Sequence, residues 1–379
     1  TDDCGNSSST TATFTIEDTT APAIDMAAAD ATVECDGAGN GGDLDAWLAS
    51  NGGASASDAC SSVSWSNDFD MLSDDCGATG MATVTFTAMD DCGNSSSTTA
   101  TFTIEDTTAP AIDMAAADAT VECDGAGNAA DLDAWLADNG GASASDACSG
   151  VTWSNDFDML SDDCGATGMA TVTFTATDAC GLSSSTTATF TIEDTTAPTI
   201  DMAAADATVE CDGAGNAADL DAWLASNGGA SASDACSGVT WSNDFDMLTD
   251  DCGATGMAMV TFTATDACGL SSSTTATFTI EDTTAPTIDM AAMDATVECD
   301  GAGNAADLDA WLASNGGASA SDACSGVTWS NDFDMLSDDC GATGMATVTF
   351  TATDACGLSS STTATFTIED TTAPAIDAA

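Results

Sequence analysis

A mostly β fold repeated in tandem is what this sequence predicts, on three observations: a fixed period, runs in which threonine alternates with apolar residues, and a constant cysteine set in each period. Pro22, Pro110, Pro198, Pro286 and Pro374 stand 88 residues apart, and self-similarity at a fixed spacing marks an array. The natural cut gives complete repeats at 22–109, 110–197, 198–285 and 286–373. Residues 1–21 read as the C-terminal part of a preceding repeat and 374–379 as the start of a following one, since Cys4 and Phe14 match Cys92 and Phe102 one period later.

The strands follow from a period of two. Val172, Phe174 and Ala176 alternate with Thr171, Thr173, Thr175 and Thr177, and after a turn-forming DACGLSSS, Ala188, Phe190 and Ile192 alternate with Thr187, Thr189 and Thr191. This is a hairpin with one apolar face and one threonine face. Earlier in the same repeat, residues 111–114 and 119–123 read as short strands, as does the segment carrying Val151 and Trp153, with that Trp turned to the core. Between them Leu132, Trp135 and Leu136 stand at i, i+3 and i+4, so a short amphipathic helix is expected, with Asn128 as N-cap and Asn139, Gly140 and Gly141 as its stop. Six or seven short strands in under 90 residues make each repeat an immunoglobulin-like Greek-key β-sandwich with one helix.

The composition excludes whole classes of function. There is no Lys, Arg or His against 63 acidic residues, a formal charge of −63. Nucleic-acid binding needs cations to displace condensed counterions, and anionic membranes would repel this surface. Such self-repulsion calls for salt or divalent cations in the native environment, while 44% apolar residues and clean alternation argue that the chain folds. No apolar run approaches the length of a membrane span and no signal segment opens the chain, so export information is expected outside it.

Cysteine usage gives the compartment. Each repeat has four cysteines, and with Cys4 they make 17. Without His or a CxxC pair, zinc is disfavoured and structural disulfides in an oxidising compartment are expected. Four cysteines allow three pairings. If the second and penultimate strands run the same way in opposite sheets, Cys123 meets Cys180 and Cys148 meets Cys164. The equivalents are Cys35–Cys92, Cys60–Cys76, Cys211–Cys268, Cys236–Cys252, Cys299–Cys356 and Cys324–Cys340, each bridge contributing about 3–4 kcal/mol. Cys4 would pair outside the sequence.

TVTFTATDACG, the hairpin TTATFTIED and the boundary DTTAP resemble the hyalin-repeat-like, immunoglobulin-like tandem modules of giant surface proteins in the Bacteroidota, such as gliding-motility adhesins. The resemblance covers every repeat end to end. It implies type IX secretion through the outer membrane, anchoring on the surface of a Gram-negative bacterium, and elongated filaments. The partners it implies are the secretion and anchoring machinery and copies of the chain itself. The absence of Lys departs from ordinary members and excludes Lys-dependent isopeptide staples.

No catalytic constellation stands out. Serine has no His or Lys as base, no cation exists to clamp phosphate, and paired carboxylates come in near-identical copies without an evident cleft. The reading is therefore non-enzymatic: a rod-like stalk or filament segment of a surface adhesin for attachment, gliding or prey capture, each repeat extending about 35–40 Å. The alternative is an adhesive module whose Thr and Asp surfaces grip glycan or ice. Ca²⁺ is the candidate ligand, because Glu105, Asp106 and Asp113 bracket a Pro-stiffened junction, as do Glu193, Asp194 and Asp201, and Glu281, Asp282 and Asp289. The DTT at each junction resembles a Bacteroidota O-glycosylation acceptor, which makes Thr19, Thr107, Thr195, Thr283 and Thr371 candidate glycan sites.

Overall fold

The computed structural model describes residues 1–337 and 339–375. Most of the expected following repeat, residues 376–379, lies outside them. The chain divides into two compact units, Thr1–Glu193 and a second beginning at Asp194. Each unit carries the same element series twice. In its first occurrence the series is β1 (Ala23–Met26), β2 (Ala31–Glu34), α1 (Gly41–Ala49), β3 (Ser55–Ser57), β4 (Ser64–Asn67), β5 (Gly80–Met89) and β6 (Ser95–Glu105). It begins again at Ala111, Thr199 and Thr287.

Six strands form two layers. β1 pairs antiparallel with β3, with a register shift between Ile24 and Met26. The larger sheet has the order β2-β6-β5-β4. The hairpin β5–β6 sets its register, Val84 opposite Ala100 and Phe86 opposite Thr98, and β4 adds antiparallel to β5. β2 lies beside β6 and runs parallel to it, Val33 opposite Ile104. The second strand therefore shares a sheet with the last strand and opposes the penultimate one, contrary to the expectation that second and penultimate strands run together in opposite sheets.

The core forms where the apolar alternation meets the helix. Val84, Phe86, Phe102 and Ile104 are buried together with Leu44 and Trp47 of α1. Trp47 stands edge-on to Phe86 at 5.1 Å and tilted on Phe102 at 5.4 Å, contacts that favour aromatic pairs beyond the area they bury. Its indole N–H donates to the Ala29 carbonyl at 3.1 Å, so the buried polar tip is satisfied. The Trp of β4, Trp65, is half-buried at the margin of this cluster. On the opposite face the threonines pair across the hairpin, Thr83 with Thr101 at 3.0 Å between hydroxyls.

The helix lies where the spacing places it, at Ala129–Ala137 in the second copy, but Asn128 does not cap it with its side chain. That Asn has φ 49°, and its amide donates to the Glu122 carbonyl and to Asp131 while its Oδ1 accepts the Asp124 N–H. It ties the end of the preceding strand to the helix start. The stop is made by Asn139, Gly140 and Gly141, all at positive φ. Gly140 is required twice over, since a Cβ there would also meet the Phe174 ring at 3.1 Å.

Candidate functional site at the repeat junctions

Strand direction decides which cysteines meet. Cys35 follows β2, and its N–H donates to the Glu105 carbonyl at 2.8 Å, at the end where the chain leaves the repeat. Cys92 sits in the β5–β6 turn, at the far end of an 11-residue strand, about 35 Å away. Cys76, just before β5, lies at the trailing end, because Gly80 opposes Ile104. Each repeat thus has one pair of cysteines at its leading end and another at its trailing end.

Bridges accordingly run between consecutive repeats. Cys35 bonds Cys148 with Cα atoms 5.7 Å apart, and Cys76 bonds Cys180 at 5.1 Å. In the second unit Cys211 bonds Cys324 at 5.6 Å and Cys252 bonds Cys356 at 5.3 Å. The pairs expected within one repeat, Cys35–Cys92, Cys60–Cys76, Cys123–Cys180, Cys148–Cys164, Cys211–Cys268, Cys236–Cys252, Cys299–Cys356 and Cys324–Cys340, are corrected by this arrangement, since in each at least one member is bonded elsewhere. Cys123, Cys164, Cys236 and Cys268 are disulfide-bonded as well. Among the described residues, Cys4, Cys60, Cys92, Cys299 and Cys340 are free.

The joint is packed to backbone contact. The Ala78 N–H donates to the Cys148 carbonyl at 2.9 Å. Gly77 beside it has φ 61°, and a Cβ there would meet the Cys148 oxygen at 2.6 Å, so only glycine fits. Glu34 then holds the connecting segment: it accepts the Thr107 N–H at 3.0 Å, the Thr107 hydroxyl at 2.7 Å and the Thr108 hydroxyl at 2.9 Å. These bonds, the Thr107 N–H foremost, hold the Glu34 carboxyl below its ordinary range. Glu210 grips Thr283 and Thr284 in the same way, and Glu298 grips Thr371 and Thr372. Of the threonines singled out as glycan acceptors, Thr107, Thr283 and Thr371 therefore use their hydroxyls in this clasp, and all three are exposed, as Thr19 is.

Around the clasp, carboxylates gather. Oxygens of Asp106 and Asp146 lie within 4.8 Å of one another and of the Cys148 sulfur, which its disulfide removes as a thiolate ligand. Asp178 is 5% exposed and its Oδ2 has no hydrogen-bond partner. Burial raises the Asp106 pKa, and repulsion from Asp146, Asp178 and Glu34 adds to it against the pull of the Thr108 N–H. Asp282 is raised by the same causes, with Asp322 and Asp354 as its neighbours. Asp194 and Asp234 form the corresponding pair elsewhere in the second unit.

The structure thus brings Asp106, Asp194 and Asp282 into acidic clusters but leaves out their expected companions. Asp113, Asp201 and Asp289 accept the hydroxyls of Ser145, Ser233 and Ser321 at 3.0, 3.0 and 2.9 Å. Glu105, Glu193 and Glu281 lend main-chain carbonyls to Cys35, Cys123 and Cys211. The residues that sequence reasoning missed are Asp146 and Asp178 and their equivalents. A signal existed: both head a DAC tripeptide, in which one carboxylate oxygen accepts a nearby N–H, as Asp146 does from Cys148 at 2.8 Å.

No protein-family model matches the chain, and no curated protein matches it. Similar solved structures are tandem ectodomains. The protocadherin GammaB4 extracellular domain is 13% identical with a TM-score of 0.33, over 83% of this chain and 62% of that one. Protocadherin Gamma B2 extracellular cadherin domains 1–5 are 12% identical with a TM-score of 0.33, over 93% and 82%. Drosophila N-cadherin EC1-4 is 10% identical with a TM-score of 0.24, over 83% and 94%. At these identities and scores the likeness brings no residue's role, ligand or partner to this chain. No helix of the described residues is long and apolar enough to cross a membrane.

Proposed function

We propose that the chain is a non-enzymatic extracellular stalk or filament segment of a large bacterial surface adhesin, of the hyalin-repeat-like type that the sequence resembles. The observation that supports this best is the placement of the bridges: Cys35–Cys148 and Cys76–Cys180 join one repeat to the next. A disulfide inside a domain stabilises that domain, whereas two across one joint remove its freedom to bend and carry tension covalently. Disulfides belong to an oxidising compartment, so the stalk works outside the cytosol, and the resemblance implies the surface of a Gram-negative bacterium. Its working repeats are 22–109, 110–197, 198–285 and 286–373, and its partners are copies of itself and the outer-membrane secretion and anchoring machinery. Ca²⁺ held by the acidic clusters completes each joint.

Electron microscopy and force spectroscopy on the oxidised chain test this. An extended particle that shows no lengthening before domain unfolding supports the stalk, with added flexibility after reduction. A compact globule, or a particle whose stiffness is indifferent to reductant, overturns it.

A further inference from the structure

The first cluster differs from the others in its surroundings: Asn94 and Asp91 stand where the later copies have Leu and Ala, and Cys60 is free. At the start of the first unit, Asp90 is 4% exposed, as buried as Asp178, yet all its oxygens are occupied. Its Oδ1 accepts the N–H groups of Cys92 and Asn94, each at 2.8 Å, and its Oδ2 accepts the Asn94 side-chain amide, also at 2.8 Å. The same amide donates to the Asp18 carbonyl at 3.1 Å, so it bridges the incoming segment and the repeat. In the later copies this position is Leu182, Leu270 and Leu358. Their backbone N–H groups keep the bond to Oδ1 of Asp178, Asp266 and Asp354, at 2.8, 2.9 and 2.9 Å. The Oδ2 atoms of these three buried aspartates have no partner.

A buried carboxylate oxygen without a donor is costly, and here it faces further carboxylates. No Lys, Arg or His exists anywhere in the chain to answer it. The donor set is hard oxygen, because the nearby sulfurs of Cys148 and Cys324 are in disulfides. Such a set suits Ca²⁺ or Mg²⁺ and not a thiophilic metal.

We propose that the triads Asp106–Asp146–Asp178 and Asp282–Asp322–Asp354, with the equivalent Asp194–Asp234–Asp266, each hold one divalent cation of the calcium class, and that in the first copy the Asn94 amide takes the cation's place on Asp90. One residue, Asn or Leu, then sets whether a joint is permanently closed by an amide or is closed only when calcium is present. The inference rests on the calcium reading above, and the experiment separates the two.

The test is calorimetric titration of the full oxidised chain with CaCl₂ at constant ionic strength, after removal of metal by chelator. Leu182→Asn and Leu358→Asn are each expected to remove one equivalent of binding, weakening it about tenfold or more, and Asn94→Leu to add one. Asp178→Asn, which deletes the unpartnered oxygen with little change in shape, is expected to lose the same equivalent as Leu182→Asn and serves if the leucine variants fold poorly. Loss of no equivalent in any of these variants, with Asn94→Leu adding none, overturns the role of Asn94 while the calcium reading stands. Absence of binding to the wild-type chain at millimolar Ca²⁺ overturns both.

Discussion

Inside a repeat, Phe86 and Phe102 are sealed at 0% and 1% exposure under Trp47, in an apolar cluster whose edge is the Cys35–Cys148 bridge. At the joint, by contrast, the holding groups are Cys35–Cys148, Cys76–Cys180, the Glu34 clasp and the Asp106 cluster. The interior depends on burial, which salt, pH and metal barely touch. The joint depends on redox state, ionisation and, on our proposal, cation supply. A chain with no basic residue cannot tie its repeats together by ion pairs, so it uses covalent bonds and hydrogen bonds to carboxylates instead.

The largest way to break this contrast is reduction. Cys35–Cys148 spans 113 residues and Cys76–Cys180 spans 104, and loops of that length correspond to about 4–5 kcal/mol per bridge in the chain-entropy account. Non-reducing peptide mapping is expected to recover these two linkages with Cys211–Cys324 and Cys252–Cys356, and direct alkylation to label Cys4, Cys60, Cys92, Cys299 and Cys340. Any linkage within one repeat, such as Cys35–Cys92, would return the staples to the domain interior and remove the joint from the comparison. Since the chain lacks Lys and Arg, the map needs an Asp- or Glu-directed protease.

What the sequence made legible follows the same division. The hairpin, the helix and its Asn-Gly-Gly stop could be read because alternation and turn chemistry are local. The pairing of Cys35 could not, because it depends on whether the short ATVE strand runs with or against the penultimate strand, a long-range fact that four residues do not encode. The acidic clusters are legible only in part for a related reason. Asp106 was visible beside Pro110, whereas Asp146 and Asp178 reach it from loops 40 and more residues away, brought there only by the stacking of one repeat on the next.

On the interior side, Phe174→Ala is expected to cost about 3–5 kcal/mol, because the ring is 0% exposed and carries the edge contact from Trp135 at 5.1 Å. Chemical denaturation should show that loss equally in oxidised and reduced protein. A loss that vanishes on reduction would mean that the core and the joint are not separable. Smaller is Gly77→Ala, where positive φ and the close Cys148 oxygen act together; a cost of more than about 1 kcal/mol is expected. Slower formation of Cys76–Cys180 should accompany it, measured by quenched oxidation. A neutral result would show that the joint is looser than its backbone contact implies.

The smallest effect, and the one that sharpens the comparison most, is that of acid. Asp156 accepts the Thr173 N–H at 2.6 Å, and this bond, with the Thr173 hydroxyl second, holds its pKa below the ordinary 3.8. Glu210 is held below 4.5 by the Thr283 hydroxyl first and the Thr283 N–H second. Both folded values lie under the unfolded ones, so each group contributes stability that is fully present above its unfolded pKa and is lost as pH falls through the folded value. Between pH 7 and about 5 neither group changes charge, and melting temperature should stay flat on their account. As pH falls below the ordinary carboxylate range, the Glu210 clasp and the strand contact at Asp156 should both release. Carbon-detected NMR titration of the two carboxyls reads both depressions directly, with Glu210→Gln as the control that removes the clasp's contribution. If both carboxyls titrated at their ordinary values, the clasp would be a packing contact without electrostatic weight. The joint would then rest on its disulfides, its backbone contact and, on our proposal, its cations.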